Sequence, residues 1–205
     1  MSPAKASLAR DAARRDFAII AGWVKDGARV LDLGCGDGAL LADLKEARRV
    51  RGYGIDIADD NVLACLERGV NVIQSDLESG LAGFADCSFD TIILSQTLQQ
   101  IRSVETITDE MLRVGREVIV TFPNFAYWRH RAQLGLRGTM PKSSSLPYEW
   151  YNTPNVRMFT VHEFDRYCAD HEIEIIDRKV LSGERTVTLQ PNLFGQLAFY
   201  RIRRR

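Results

Sequence analysis

Nowhere in these 205 residues does an apolar run approach the roughly 20 that a membrane helix needs, so no spanning segment is expected. The opening Met1-Ser2-Pro3-Ala4-Lys5 lacks the apolar core of a secretory signal, and the expected location is the cytoplasm. An excess of one charge is missing too. The 27 basic and 27 acidic side chains balance, which removes any general attraction to nucleic acid or to an anionic membrane. Cysteine is sparse: Cys35, Cys65, Cys87 and Cys168 show no spacing of a zinc pair or a redox dithiol, and they read as separate, buried or half-buried thiols. No metal site is expected. Histidine is rarer still, and His130, His162 and His171 read as surface or helix-end residues rather than catalytic bases. No internal repeat is visible, and the length suits one domain, 1–205.

What is present alternates. An opening helix within 1–25 carries the stripe Phe17, Ile20, Ala21 and Val24. Arg29 to Leu33 reads as a buried strand that runs into the glycine cluster Gly34-Cys35-Gly36-Asp37-Gly38 and then into helical Ala39 to Leu44. Strands follow at Val50–Ile57, Val70–Ile73, Phe89–Leu94 and Glu117–Thr121. The helices between them are expected to start with caps at Asp59 and Ser103 and to stop at Gly69 and Gly115. A capping box at Thr160 and Glu163 opens another helix, and Ile173–Leu181 with Leu197–Ile202 supply two final strands. The pattern predicts an α/β fold: a Rossmann-like, doubly wound, mostly parallel sheet of about seven strands with an antiparallel edge pair. From 135 to 157 the regularity breaks down. Gly, Pro and Ser punctuate a stretch holding Tyr148, Trp150 and Tyr151, long enough to suggest a lid or a partner surface, and its aromatics argue for some burial.

The chemistry concentrates at the first turn. Glycines at 34, 36 and 38 let backbone approach a ligand closely, while the next helix points its free N–H groups into the same crevice. The run also satisfies a dinucleotide pattern, with Asp56 placed to hold a pair of ribose hydroxyls, so the glycines alone do not choose a cofactor. Charge does. Asp32 before the turn and Asp37 inside it would repel a pyrophosphate by up to several kcal/mol, yet attract the ammonium and sulfonium of S-adenosylmethionine (SAM). Asp76, after the third strand, is placed to accept the adenine amino group, and Ile57 and Leu77 supply apolar faces for the ring. The candidate cofactor set is therefore Asp32, Gly34, Cys35, Gly36, Asp37, Gly38, Asp56, Ile57, Asp76, Leu77 and Ser95, for SAM or its demethylated product S-adenosylhomocysteine (SAH).

Val30-Leu31-Asp32-Leu33-Gly34-Cys35-Gly36-Asp37-Gly38, Gly54-Ile55-Asp56-Ile57 and Ser75-Asp76-Leu77 resemble the successive motifs of class I SAM-dependent methyltransferases. Phe122-Pro123-Asn124-Phe125 and Leu146-Pro147-Tyr148-Glu149-Trp150-Tyr151-Asn152-Thr153-Pro154-Asn155 carry a closer likeness, to the MetW family of methionine biosynthesis proteins. That resemblance spans about Arg14 to Leu181. It implies a methyltransferase-like fold and companionship with homoserine O-acyltransferase, the enzyme that activates homoserine.

Catalytic groups are not identifiable. Methyl transfer is an in-line displacement that needs a base only when the acceptor must lose a proton. Ser95-Gln96-Thr97-Leu98-Gln99-Gln100 lacks the Asn/Asp-Pro-Pro-Tyr/Phe arrangement of resembling amino-group methyltransferases, and its glutamines hydrogen-bond without taking a proton near neutral pH. The basic and aromatic residues around Tyr127–Arg131 read as a solvated helix face, and Arg201–Arg205 as a frayed tail. Two functions remain open. One is a SAM-sensing companion of the acyltransferase; the other is a working small-molecule methyltransferase whose 135–157 loop closes over an acceptor.

Overall fold

Short apolar runs separated by amphipathic segments can bury both faces of a sheet only by alternating strand and helix, and that arrangement is what forms. The structure, a computed structural model, describes residues 16–143 and 145–205. Of the opening helix, residues 16–23 (α1) are described, and the part before residue 16 lies outside the described residues. Then follow β1 (Arg29–Leu33), α2 (Ala39–Arg48), β2 (Arg51–Asp56), α3 (Asp59–Glu67), β3 (Asn71–Gln74), β4 (Phe89–Ser95), α4 (Val104–Val114) and β5 (Gly115–Pro123). The second half holds α5 (Trp128–Arg137), α6 (Val161–Asp170), β6 (Ile173–Ser182), β7 (Arg185–Thr186), α7 (Pro191–Phe194) and β8 (Leu197–Arg204).

The strand order is β3-β2-β1-β4-β5-β8-β6-β7. β1 to β5 pair in parallel, and β8 runs antiparallel to both of its neighbours, β5 and β6. The order reverses between β1 and β4, the switch point at which an open α/β sheet leaves a crevice at its carboxyl edge. The sheet has eight strands rather than about seven. The extra one, β7, pairs only two residues with Leu181 and Ser182, too few to leave a periodic trace in the sequence.

The pleat divides the core between the two faces. On one face Leu31, Leu33, Ile92, Leu94, Val118, Val120 and Phe122 pack with Met111 of α4 and Phe164 of α6. On the other Val30, Ile93, Ile119 and Phe199 pack with Ile20, Trp23, Leu40, Leu41 and Leu44 of α1 and α2. Trp23 also donates its Nε1–H to Asp177 at 2.8 Å, which ties α1 to β6.

Several expected ends are revised. Ala58, not Asp59, occupies the cap of α3, leaving Asp59 as the first helical residue. Ser103 sits at the cap of α4 without a side-chain cap bond. Thr160 does cap α6, accepting from the Glu163 amide at 3.2 Å. The terminal arginines are not a frayed tail: β8 extends to Arg204, Arg201 forms a two-pronged ion pair with Glu117, and Arg203 does the same with Glu174. The 135–157 segment begins inside α5, which Gly138 ends in a left-handed conformation.

Candidate cofactor site

The turn after β1 is built by three left-handed glycines, with φ of 70° at Gly34, 55° at Gly36 and 75° at Gly38. Two of them are also sterically required. A Cβ on Gly34 would lie 2.7 Å from Thr97 Oγ1, and one on Gly38 would lie 2.9 Å from Cys65 Sγ. Most amides of this turn are already used. Gly34 and Cys35 donate to the Ile55 carbonyl at 2.8 and 3.0 Å, Gly38 donates to Cys35 O, and Gly36 donates to Asp56 Oδ2 at 2.9 Å. The first helical amide, Ala39, donates to Asp37 Oδ1 at 3.2 Å. The amides of Gly34, Cys35, Gly36, Gly38 and Ala39 are therefore not free to aim into the crevice, because carbonyl and carboxylate oxygens of the chain itself take them. Such a turn has little to offer a pyrophosphate.

The acids differ sharply in their surroundings. Asp32 is 2 % exposed, and its register neighbours are Gly54 on β2 and Ile93 on β4, neither of which has a polar side chain. Its Oδ1 has no partner among the described residues. Burial, followed by the charge of Asp56, pushes its pKa up to about 8. Asp32 therefore holds its proton more tightly than an ordinary carboxyl, which makes it a weaker standing negative charge than the sequence suggests. Asp37 is exposed and pairs with Arg68 at 2.7 Å, which offsets its charge. Arg68 lies on the far side of α3 in the sequence, where no spacing rule marks it. Asp56, which is buried, accepts from Gly36 N, Ala58 N and Asn61 Nδ2 at 2.9–3.0 Å and so welds the turn to the end of β2. Asp76 accepts from Glu78 N at 2.9 Å, capping the 3₁₀ turn Leu77–Ser79. Ile57 is exposed while Leu77 is buried, so one of the two expected apolar faces is open. Ser95 bonds Thr121 Oγ1 at 3.0 Å at the end of β4.

The structure thus gathers the predicted residues along the carboxyl ends of β1 to β4. It also adds Asp16 and contacts that the sequence did not disclose. Asp16 of α1, which is buried, receives Gln96 Nε2 at 3.4 Å, and Gln99 lies buried beneath the chain that follows α5, with Val156 and Arg157 amides on its carbonyl at 2.9 Å. Cys35 and Cys65, which looked unrelated in sequence, have their sulfurs 3.8 Å apart. His130 is buried rather than at the surface, with Nε2 3.0 Å from Ser143 Oγ. Desolvation lowers its pKa, partly opposed by the Asn124 and Phe125 backbone, so it stays neutral at physiological pH.

Comparison with known proteins decides the family. A family model described as methionine biosynthesis protein MetW matches residues 14–202. The chain belongs to the MetW family. A relative of this MetW-family chain, the bifunctional methionine biosynthesis protein MetXA/MetW of Rhodopirellula baltica, is 43% identical over 163 residues, which is 75% of this chain and 26% of the relative. The chain thus spans about a quarter of that relative's length. Among solved structures, a SAM-dependent methyltransferase of Thermotoga maritima, described as a possible histamine N-methyltransferase, is similar with a TM-score of 0.70 at 17% identity, over 97% of this chain and 92% of that one. The magnesium protoporphyrin IX methyltransferase of Synechocystis PCC 6803, solved with SAH bound, is similar with a TM-score of 0.70 at 16% identity, over 97% and 86%. These two likenesses carry the class I methyltransferase fold.

The two MetW-like motifs have separate physical roles. Asn124 is fully buried, and its side chain donates to the Asn192 and Gly195 carbonyls while accepting from the Ala126 and Val161 amides. The second motif lies mostly on the surface. Tyr148, Trp150 and Tyr151 are 50%, 73% and 70% exposed, contrary to the burial their aromatic character suggested. The loop is also held at other points, since Leu146 is buried beneath it and the Gln99 carbonyl anchors its far end.

Proposed function

We propose that the chain binds SAM or SAH at the β1 turn and works with homoserine O-acyltransferase in the activation of homoserine. The observation that carries the cofactor reading is Asp32, an acid sealed in an apolar strand pair with no counter-ion among the described residues. A buried carboxyl of this kind calls for a cationic donor, and the ammonium of SAM or SAH supplies one. In this reading the Gly34–Gly38 backbone follows the amino-acid moiety, and Asp37 and Cys35 shape that turn. A ribose hydroxyl replaces the Asn61 amide on Asp56. Asp76 accepts the adenine amino group through its second oxygen, Ile57 and Leu77 clasp the ring, and Ser95 closes the far wall.

The partner reading draws on the MetXA/MetW relative, whose name couples two methionine-biosynthesis activities in one polypeptide. It also draws on the exposed aromatics, since Trp and Tyr at the surface are the residues that most often anchor protein interfaces. Co-purification with homoserine O-acyltransferase and calorimetry of the pair test this. Replacing Trp150 and Tyr151 together with Ala should weaken the complex at least tenfold, while the melting temperature stays within about 1 °C because neither ring is buried. Unchanged affinity in the double variant would take the loop out of the interface, and absence of a complex with the native chain would remove the partnership.

A second reading, a working methyltransferase with an unidentified acceptor, draws on Asp16, an acid beside the end of β4. Labelled SAM supplied with a metabolite extract tests it: no enzyme-dependent methylated product would count against turnover.

A further inference from the structure

We infer that Cys35 and Cys65 form a reversible oxidation site inside the cofactor turn, closing to a disulfide that weakens nucleoside binding. Their sulfurs are 3.8 Å apart although the residues are 30 positions apart in sequence. Cys35 belongs to the turn and Cys65 to α3, both are buried, and neither is bonded to another cysteine. A disulfide sets the sulfurs about 2.05 Å apart, so the bond asks the two segments to close by roughly 2 Å, within the reach of a side-chain rotation and a small backbone shift.

The reaction needs an oxidant, and a small-molecule disulfide such as glutathione disulfide suffices. The Cys35 thiolate, on the slightly more exposed of the two residues, attacks one sulfur of that disulfide and expels one thiolate. The Cys65 thiolate then attacks the Cys35 sulfur of the mixed disulfide and expels the second. Two protons leave the protein, one external disulfide becomes two thiols, and one S–S bond forms. Burial raises both thiol pKa values, which keeps the thiolates scarce and makes closure slow. The same property favours the disulfide once it is made, because high-pKa thiols are poor leaving groups.

Oxidation also removes hydrogen-bond donors. Both thiols lie against the Gly36 carbonyl, Cys65 Sγ at 3.3 Å and Cys35 Sγ at 3.7 Å. With no S–H left, that carbonyl faces two sulfur lone pairs and must turn away. The neighbouring Gly36 amide is the one held by Asp56, so its displacement disturbs the turn and the β2 acid together. This consequence for the nucleoside rests on the SAM reading above, whereas the cross-link itself does not.

The full chain is compared after reduction with dithiothreitol and after incubation with excess glutathione disulfide. Peptide mapping by mass spectrometry should find Cys35 and Cys65 joined, with exposed Cys87 carrying glutathione as an internal check that the oxidant acted. SAH affinity measured by calorimetry should fall at least fivefold on oxidation and return on reduction. Cys35→Ser, which removes the attacking thiol and leaves only the fully buried Cys65, should bind SAH with an affinity indifferent to the oxidant, and Cys35→Ala gives the same test should serine fold poorly. Glutathionylated Cys87 alongside free Cys35 and Cys65 would overturn the proposal, as would a complete cross-link with unchanged affinity. A reduced chain that binds no SAH would count against the cofactor reading instead, leaving the peptide map to decide the cross-link.

Discussion

Asparagine in place of Asp32 is expected to weaken SAH binding by about 1–3 kcal/mol, a 5- to 150-fold loss, while making the empty protein more stable. The two effects have one cause. Asp32 is walled by Gly54 and Ile93 in register and has an oxygen without a partner, so ionising it in the absence of a cation is costly. Its pKa is raised from the ordinary carboxylate value to about 8. A carboxyl raised in the folded state favours folding below its unfolded pKa, near 4, and this contribution is lost as pH climbs through about 8. The gain from Asp32→Asn should therefore be smallest at about pH 5 and largest at about pH 8–9, read as a growing difference in melting temperature between the two proteins. Binding follows the opposite course. An ammonium needs the carboxylate, so native affinity for SAH should rise from pH 6 to pH 8 with proton release on binding, and the asparagine variant should show neither. Adenosine, which has no amino-acid moiety, should bind both forms alike. Thermal melts and calorimetry in two buffers of different ionisation heat check all three points, and an unchanged pH profile in the variant would remove Asp32 from recognition.

Asn124→Ala should be the most damaging single substitution outside the strands, costing about 3–5 kcal/mol. Four groups lose their partner at once: the Asn192 and Gly195 carbonyls and the Ala126 and Val161 amides, which belong to three different segments. At this chain length the loss corresponds to a fall of roughly 6–20 °C in melting temperature. Asn124→Asp should fare no better, because it presents oxygens where two carbonyls require an N–H. Hydrogen exchange at the Ala126 and Val161 amides should accelerate in either variant. A melting temperature within 2 °C of the native value would show that water replaces the amide without cost.

The contrast between these two residues explains how much the sequence discloses. Asp32 sits in a continuous motif, so its strand and its glycines were legible together, though not the burial that raises its pKa, and the acids at the ends of β2 and β3 could be placed at the same sheet edge by strand periodicity alone. Long-range meetings were not legible. Nothing between Asp37 and Arg68 announces that one charge offsets the other, nor does any spacing bring Cys35 beside Cys65. Burial was misjudged where local character and tertiary position disagree. His130 lies in a basic helix yet faces inward to Ser143, while Trp150 and Tyr151 are aromatic yet face solvent. The arginines of β8 read as a frayed tail because their partners, Glu117 and Glu174, lie on strands distant in sequence.

The position of β8 bears on how the chain is made. β5 and β6 never touch as paired strands; each bonds to β8, which is synthesised after both. Until those eight residues have left the ribosome, one side of β5 and the hairpin of β6 and β7 present unpaired backbone to the surroundings. The nascent protein therefore passes through an interval in which all of the parallel strands have been made while the seam is still open, and a chaperone or a neighbouring polypeptide can reach that seam before the sheet is complete.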